Sequence, residues 1–224
     1  MLLLSHFWEL VLGTIIALLP VINPLASTPI FLAITEGDTD EQRRRQAFRG
    51  CAYMVAILVS FLIGGTFIMN FFGISIPGLR IAGGLLVTGI GLGMVATPRT
   101  GDDEKRRQAE AKAKSDISFT PLAMPMLSGP GSIAVTVGFT SLSTGIIDYV
   151  AIIIGILCVA VIAYITLNLS GKIVQLVGAN GMSALTKIMG FLILCIGVQF
   201  IVNGIGSIIT SPAIIEAFQA GSGS

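Results

Sequence analysis

Two short stretches of the chain combine proline, glycine and small polar side chains within otherwise apolar sequence. They are PVINPLAST, residues 20–28, and PMLSGPGS, residues 125–132. A proline inside a helix removes a backbone N–H and clashes with the carbonyl one turn back, so each stretch predicts an interrupted helix with freed polar groups. Where a helix restarts, its N-terminus carries about half a positive charge and can bind a carboxylate. The chemistry that these stretches predict is therefore the binding of a small molecule.

The residues expected to contact this molecule lie at the two interruptions and on one later apolar segment. They are Asn23, Pro24, Ser27, Thr28, Ser128, Gly129, Gly131 and Ser132 at the interruptions, with Gln199 and Asn203 further along the chain. The last two lie four positions apart and therefore share a helix face. Two alternatives stay open at this point. The prolines could produce plain kinks, and the Gln–Asn pair could instead form hydrogen bonds between helices.

Residues with the spacing of a catalytic or metal-binding site are missing from the sequence. The three cysteines stand singly in apolar runs, and His6 is the only histidine. Neither a zinc-ligand pattern nor a nucleophile with a neighbouring base can be assembled from them. Proton relays in membranes usually contain a buried Asp, Glu or His, and all carboxylates lie outside the predicted membrane centre. We therefore expect no enzyme activity, no cofactor and no metal, and the coupling ion, H⁺ or Na⁺, is left open.

The composition identifies the class of protein. Of the 224 residues, 54% are hydrophobic and 11% are charged, against about 25% charged in soluble domains. Most charges fall in two clusters, at residues 36–49 and 99–116. The chain is therefore predicted to be a polytopic membrane protein, with the lipid bilayer as its surroundings. A secreted domain and a cytosolic enzyme are excluded, and the net charge of +1 excludes a nucleic-acid partner.

Six apolar segments are long enough to cross a bilayer, which takes about 20 residues. They cover about residues 7–35, 51–72, 79–97, 119–142, 149–169 and 184–209. None alternates apolar and polar residues as barrel strands do, so an all-α fold is predicted. Twelve of the thirteen Lys and Arg residues fall on one set of loops and Arg80 alone on the other. Cytoplasmic loops carry the positive charge, so both termini are expected to be periplasmic, with no cleaved signal peptide.

The two halves of the chain resemble each other. Arg80 and Lys187 each begin the pattern basic–Ile–x–Gly before an aliphatic run, 60 residues after Pro20 and 62 residues after Pro125. Three helices per half is an odd number, so the halves are expected to be inverted in the membrane, with the first and fourth helices broken. Small residues permit close helix packing. The glycines expected to do so are Gly83, Gly84, Gly89, Gly91, Gly93, Gly190 and Gly197.

The predicted organisation has four parts. Residues 1–97 form the first three-helix repeat, residues 98–118 a charged cytoplasmic linker, and residues 119–212 the second, inverted repeat. Residues 213–224 form a tail that ends in GSGS, which is typical of an artificial linker. Inverted repeats with broken helices are typical of secondary transporters, whose binding site lies near the bilayer midplane.

Four segments resemble the MarC family of bacterial inner-membrane proteins, which belongs to the superfamily of LysE-type exporters. The segments are LLPVINPLASTPIF, FGISIPGLRIAGGLLV, FTPLAMPMLSGPGSIA and MGFLILCIGVQFIVNGI, and the resemblance covers about residues 7–209. Asn23-Pro24 and Gly129-Pro130-Gly131 match the family's N-P and G-P-G motifs, and Ser128 stands where alanine is frequent. A related branch is similar to transporters of glycine and alanine, so the resemblance implies transport.

We therefore predict a secondary transporter of small neutral amino acids that works by alternating access across the bacterial inner membrane. The alternative is an exporter of another small metabolite or a drug. A drug would need a wider and more aromatic pocket, which the 16 aromatic residues of the chain disfavour. A signalling or scaffold role is a further alternative, for which residues 99–116 are the only candidate. Assembly into a homo-oligomer is left open.

Overall fold

The computed structural model describes residues 2–96, 116–140, 143 and 145–211. These residues form eight helices and no strand. The helices are α1 (Leu2–Ile22), α2 (Pro24–Ile34), α3 (Asp40–Phe72), α4 (Ile76–Ala96), α5 (Ser118–Leu127), α6 (Pro130–Phe139), α7 (Ile146–Asn168) and α8 (Ser170–Ile209). The all-α class predicted from the sequence is confirmed. The predicted tail and most of the predicted charged linker lie outside the described residues.

Five helices of the described part are long and apolar enough to cross a membrane. They are α1, α3, α4, α7 and the part of α8 from Asn180 to Ile209. Helices α5 and α6 are each too short, but they qualify together as one span bent by 64°. The described residues therefore contain five candidate spans, or six when the bent pair is counted as one span, as expected of a polytopic membrane protein.

The charged residues 40–49, expected in a loop, are instead helical and extend α3 at its N-terminal end. The physical reason is a capping box. Thr39 Oγ1 accepts a hydrogen bond from the Gln42 N–H (3.2 Å), and Gln42 Oε1 accepts one from the Thr39 N–H (2.8 Å). Two acidic residues, Asp40 and Glu41, occupy the first turn, where the helix dipole favours negative charge. The helix therefore begins eleven residues before its apolar part.

Arginines in this charged part of α3 connect it to neighbouring segments. Arg43 Nε donates to Thr35 Oγ1 at the end of α2 (3.2 Å), and Arg44 Nε donates to Tyr164 Oη of α7 (3.0 Å). Arg49 pairs with Asp116 before α5 at 3.0 Å. Hydrogen bonding from Ser118 and the Arg49 charge lower the pKa of the Asp116 carboxyl, so this pair stays ionised at neutral pH.

Helices α4 and α8 pack antiparallel and very closely through glycines. A Cβ built on Gly84 would lie 2.6 Å from the Gly197 carbonyl oxygen, and one on Gly91 would lie 2.7 Å from the Gly190 carbonyl oxygen. From the first contact to the second, the residue number increases along α4 and decreases along α8, so the two helices run antiparallel. Close packing is therefore confirmed for these four glycines. It is wrong for Gly89 and Gly93, whose Cβ positions have nothing within 4 Å.

The remaining helices surround this pair and form the apolar core. Helix α7 packs against α1, α2 and α3, helix α3 also packs against α5 and α6, and helices α2 and α6 pack against α8 and α4 respectively. Fully buried side chains at the centre are Leu18, Phe31, Met54, Leu58, Leu122, Leu127, Ile152 and Ile193. The core therefore places α2 and α6, the two short helices that follow the interruptions, inside the bundle.

A polar contact between His6 and Asp148 joins the N-terminal ends of α1 and α7. Asp148 is 6% exposed, its Oδ1 lies 3.4 Å from Nε2 of the half-exposed His6, and its Oδ2 accepts a hydrogen bond from the Gly145 N–H (3.2 Å). Asp148 therefore both caps α7 and connects that helix to α1.

Removing this carboxylate should destabilise the protein. We expect Asp148→Ala to lower the free energy of unfolding by about 1–2 kcal/mol, because the Gly145 N–H loses its acceptor and the helix loses its cap. Thermal unfolding of the purified protein in detergent measures the change. Glu9→Gln, at an exposed position on α1, is the control and should leave the unfolding temperature unchanged. Equal unfolding temperatures for Asp148→Ala and the unchanged protein would contradict the role given to this carboxylate.

Candidate functional site

The first interruption is a true break in the helix and not a plain kink. Helix α1 ends at Ile22 and α2 begins at Pro24. Between them Asn23 has φ 45° and ψ 63°, the left-handed conformation, which asparagine tolerates better than most residues. The proline disfavours right-handed helical geometry for the residue before it and fits the first helical position, where no N–H is needed.

Most hydroxyl groups near this break already have partners. Asn23 Oδ1 caps α2 by accepting from the Ala26 N–H (3.2 Å). Ser27 Oγ donates to the Asn23 carbonyl (3.3 Å), and Thr28 Oγ1 donates to the Leu25 carbonyl (2.8 Å). Asn23 is 6% exposed, and its Nδ2 has no partner among the described residues. The amide N–H₂ of Asn23 is therefore the unsatisfied donor at the first break.

The second interruption is longer, because it includes the whole of α5. Thr120 and Met124 are extended, with ψ of 121° and 122°, and each precedes a proline, as proline requires of its neighbour. Both of these peptide bonds to proline are cis. The backbone bonds at its two ends join residues five positions apart: Leu122 N–H donates to Ile117 O (3.1 Å), and Ser128 N–H donates to Ala123 O (2.7 Å). The predicted break in the fourth span is thus present as the irregular helix α5, which is followed by the regular helix α6.

The start of α6 has polar groups that no other group in the described part of the chain pairs. Its N-cap is Gly129, and no side chain caps it. Its first backbone bond is donated by Ile133 to Gly129 O (3.1 Å), so the N–H groups of Gly131 and Ser132 need a partner outside the helix. Ser132 Oγ donates to Gly129 O (2.9 Å). Ser128 Oγ is fully buried and has no partner among the described residues.

The two breaks lie side by side. A Cβ on Gly131 would lie 3.2 Å from Val21 Cγ1 and 3.3 Å from Val87 Cγ2. Val21 is two residues before Asn23, so the start of α6 touches the end of α1. A side chain at position 131 would crowd this contact, which explains why glycine stands there. The structure thus places the start of α6 against the end of α1, and the polar residues Asn23, Ser27, Thr28, Ser128 and Ser132 of the two interruptions are each buried.

Gln199 and Asn203 are placed elsewhere. Both are exposed on α8, and Gln199 Nε2 donates to Asn203 Oδ1 (2.9 Å) along the helix. Unlike the residues of the two breaks they are not buried, and their hydrogen bond lies within one helix and not between helices. Sequence reasoning missed Thr88, whose Oγ1 is buried against Gly197 and has no partner in the part of the chain that the structure describes. A lone hydroxyl in a glycine-rich helix was the available signal.

Comparison with known proteins agrees with the resemblance found in the sequence. The profile of a family described as "MarC family integral membrane protein" matches residues 8–209. A protein of Escherichia coli (strain K12) named "UPF0056 inner membrane protein MarC" is 40% identical over 217 residues, covering 92% of this chain and 98% of the relative. A protein of the same name from Citrobacter koseri is 38% identical over 206 residues, covering 87% and 93%. No solved structure matches the chain significantly.

Proposed function

Because this chain belongs to the MarC family of integral membrane proteins, we propose that it is a secondary transporter of small neutral amino acids such as glycine and alanine. The relatives are named as inner-membrane proteins, and the same location is proposed here. With the arginines of α3 on the cytoplasmic side, both termini are periplasmic. The proposal includes a coupling ion, H⁺ or Na⁺, and assembly into a homo-oligomer.

The observation that carries this proposal is the pair of unsatisfied buried donors at the breaks. A buried polar group without a partner costs about 1–3 kcal/mol, and Asn23 Nδ2 and Ser128 Oγ are both in this state. In native proteins such groups are completed by water, an ion or a ligand, and these two lie at the breaks. No charged side chain occurs in residues 20–28 or 125–132, which favours a ligand without net charge.

A constant offset supports the inverted repeat on which alternating access depends. Adding 106 to a residue number takes Pro24 to Pro130 and Asp40 to Ile146, the starts of α2, α6, α3 and α7. The same offset takes Gly84 to Gly190 and Gly91 to Gly197. The offset therefore relates the Gly84–Gly197 contact between α4 and α8 to the Gly91–Gly190 contact between the same helices.

The direction of the paired helices supports inversion as well as repetition. Helices α4 and α8 correspond under the offset and run antiparallel, as equivalent helices must in an inverted repeat. The packing partners of equivalent helices correspond as well. Helix α2 packs on α7 and α8, and its equivalent α6 packs on α3 and α4. The two short helices α2 and α6 are then equivalent gates, one for each side of the membrane.

Transport by reconstituted protein tests the proposal. The purified protein in liposomes should take up labelled alanine and glycine above the level of empty liposomes, and an imposed proton or sodium gradient identifies the coupling ion. Uptake without any gradient effect would indicate exchange or facilitated diffusion of the same substrates. Absence of uptake by protein shown to be folded would contradict the proposal and favour the alternative, an exporter of another small metabolite or a drug.

A further inference from the structure

The arginines at the start of α3 differ in how their charge is balanced. Arg43 and Arg49 each form an ion pair with an aspartate. Arg44 and Arg45 are exposed and form no ion pair within the described part of the chain. Residues 40–49 contain four arginines and only two acidic residues, so this segment keeps a positive charge that can attract an anion from outside the helix bundle.

The side chain of Arg44 is held in place by an aromatic residue of α7. Its Nε donates to Tyr164 Oη (3.0 Å). The Tyr164 ring is in edge contact with Phe48, which lies one turn after Arg44 on α3, with ring centroids 6.0 Å apart and an interplanar angle of 83°. A guanidinium held through Nε still presents the N–H groups of its two Nη atoms, and this fork is the geometry that binds a phosphate through two parallel hydrogen bonds.

This cluster lies where the charged part of the two helices meets their apolar part. Arg44 stands in the charged turns of α3, shortly before the apolar part that begins at Cys51. Tyr164 lies one turn before the end of α7 at Asn168. Tyrosine is enriched where a membrane helix passes through the headgroup region of the bilayer. The free N–H groups of Arg44 are therefore at the depth of the lipid phosphates.

An apolar surface leads from this cluster into the bilayer. Leu157, Val161 and Tyr164 are four and three residues apart, so they lie along one face of α7. Leu157 is 46% exposed and Val161 is 57% exposed, while Phe48 on α3 is 62% exposed. A free phosphate ion would contact the arginine alone, whereas a phospholipid would also cover these apolar side chains. The surface therefore fits a phospholipid better than a free phosphate ion.

From these observations we propose that the charged end of α3 and the adjacent end of α7 bind the headgroup of an anionic phospholipid. The lipid phosphate accepts hydrogen bonds from the Nη atoms of Arg44, and Arg45 adds a second positive charge. An acyl chain lies along the exposed face of α7. The cytoplasmic leaflet is the one that carries anionic lipid, in agreement with the orientation proposed above. This inference does not depend on what the protein transports.

Lipid binding to the purified protein in detergent tests this site. Phosphatidylglycerol and phosphatidylcholine with the same acyl chains are titrated separately, and native mass spectrometry gives a dissociation constant for each. Phosphatidylglycerol should bind about tenfold more tightly or better, because two arginines act on its net charge. Arg44→Gln should weaken phosphatidylglycerol binding roughly fivefold, the effect of one basic residue at an anionic lipid surface. Binding of phosphatidylcholine, whose headgroup has no net charge, should change much less and shows that the variant is folded.

Three further variants separate the arrangement of these residues from their charge. Lys187→Gln is the matched control, since it removes one exposed positive charge from α8, which packs mainly on α4. It should leave phosphatidylglycerol binding unchanged. Arg44→Lys keeps the charge without the fork, and Tyr164→Phe keeps the ring without the hydroxyl that holds Arg44. Both should weaken phosphatidylglycerol binding, each by less than Arg44→Gln does.

The outcomes separate this inference from the proposed function. Equal affinity for the two lipids overturns it, as does an Arg44→Gln effect no larger than that of Lys187→Gln. Full affinity in both Arg44→Lys and Tyr164→Phe would overturn the role of the held guanidinium. Displacement of phosphatidylglycerol by an equal concentration of inorganic phosphate would show that the free ion and not the lipid is bound. The expected pattern supports the lipid site even if liposomes take up no alanine, in which case the transport proposal alone fails.

Discussion

Gly91→Ala should greatly reduce the stability of the protein, while Gly89→Ala and Gly93→Ala on the same helix should not. A Cβ at position 91 would lie 2.5 Å from the Leu194 amide nitrogen and 2.7 Å from the Gly190 carbonyl oxygen. Both are backbone atoms of α8, so no change of rotamer can relieve the contact. Helices α4 and α8 would have to separate along a large part of their interface. Overpacking of this kind costs about 1–3 kcal/mol, and rigid backbone contacts lie at the upper end.

The two neighbouring glycines make this experiment well controlled. Nothing lies within 4 Å of the Cβ positions of Gly89 and Gly93, and alanine is favoured over glycine in a helix by about 1 kcal/mol. The Gly89→Ala and Gly93→Ala variants in detergent should therefore unfold at the temperature of the unchanged protein or higher. Gly91→Ala should unfold at a much lower temperature. Similar values for all three variants would show that α4 and α8 are not in backbone contact.

The same glycines illustrate how far sequence alone predicts the fold. Composition places the helices in a membrane, and the prolines mark both breaks, because proline chemistry is local. Which glycines lie at an interface is not a local property. Gly89 and Gly93 have sequence neighbours similar to those of Gly91, and what separates them is the face of α4 on which α8 packs. The helical residues 40–49 were missed because clustered charge predicts solvent exposure, which a helix protruding from the bilayer also provides.

The sequence predicts the candidate site to about the same extent as it predicts the fold. The interruptions correctly locate the buried polar residues, because freed backbone attracts small polar side chains. However, a serine or threonine in a helix can donate to a carbonyl three or four residues earlier, as Ser27, Thr28 and Ser132 do. Sequence gives no means of telling these from Ser128, whose hydroxyl stays unpaired. The Ser128 hydroxyl is left unpaired by the irregular backbone of α5, which depends on tertiary packing.

Ser128→Ala should produce a protein that is more stable and less active. The variant removes a fully buried hydroxyl that has no partner among the described residues, and such a group costs about 1–3 kcal/mol in the empty protein. We therefore expect the free energy of unfolding to rise by about 1 kcal/mol. A charge-assisted hydrogen bond to a substrate carboxylate contributes about 1.5–3 kcal/mol, so alanine uptake at low concentration should fall by tenfold or more.

Opposite signs for the two effects separate a binding role from a structural one. A residue that only supports the fold would lose stability and activity together when truncated. Unfolding temperature in detergent and initial uptake rate in liposomes, measured on the same preparation, give both quantities. Ser60→Ala should change neither beyond error, because its hydroxyl is exposed and donates to Ala56 O at 2.7 Å. If Ser128→Ala were destabilised, or stable with normal uptake, the Ser128 hydroxyl would be a structural group and the substrate would bind elsewhere. A stabilised, inactive variant is the result expected of a side chain that the empty transporter leaves unpaired for its substrate.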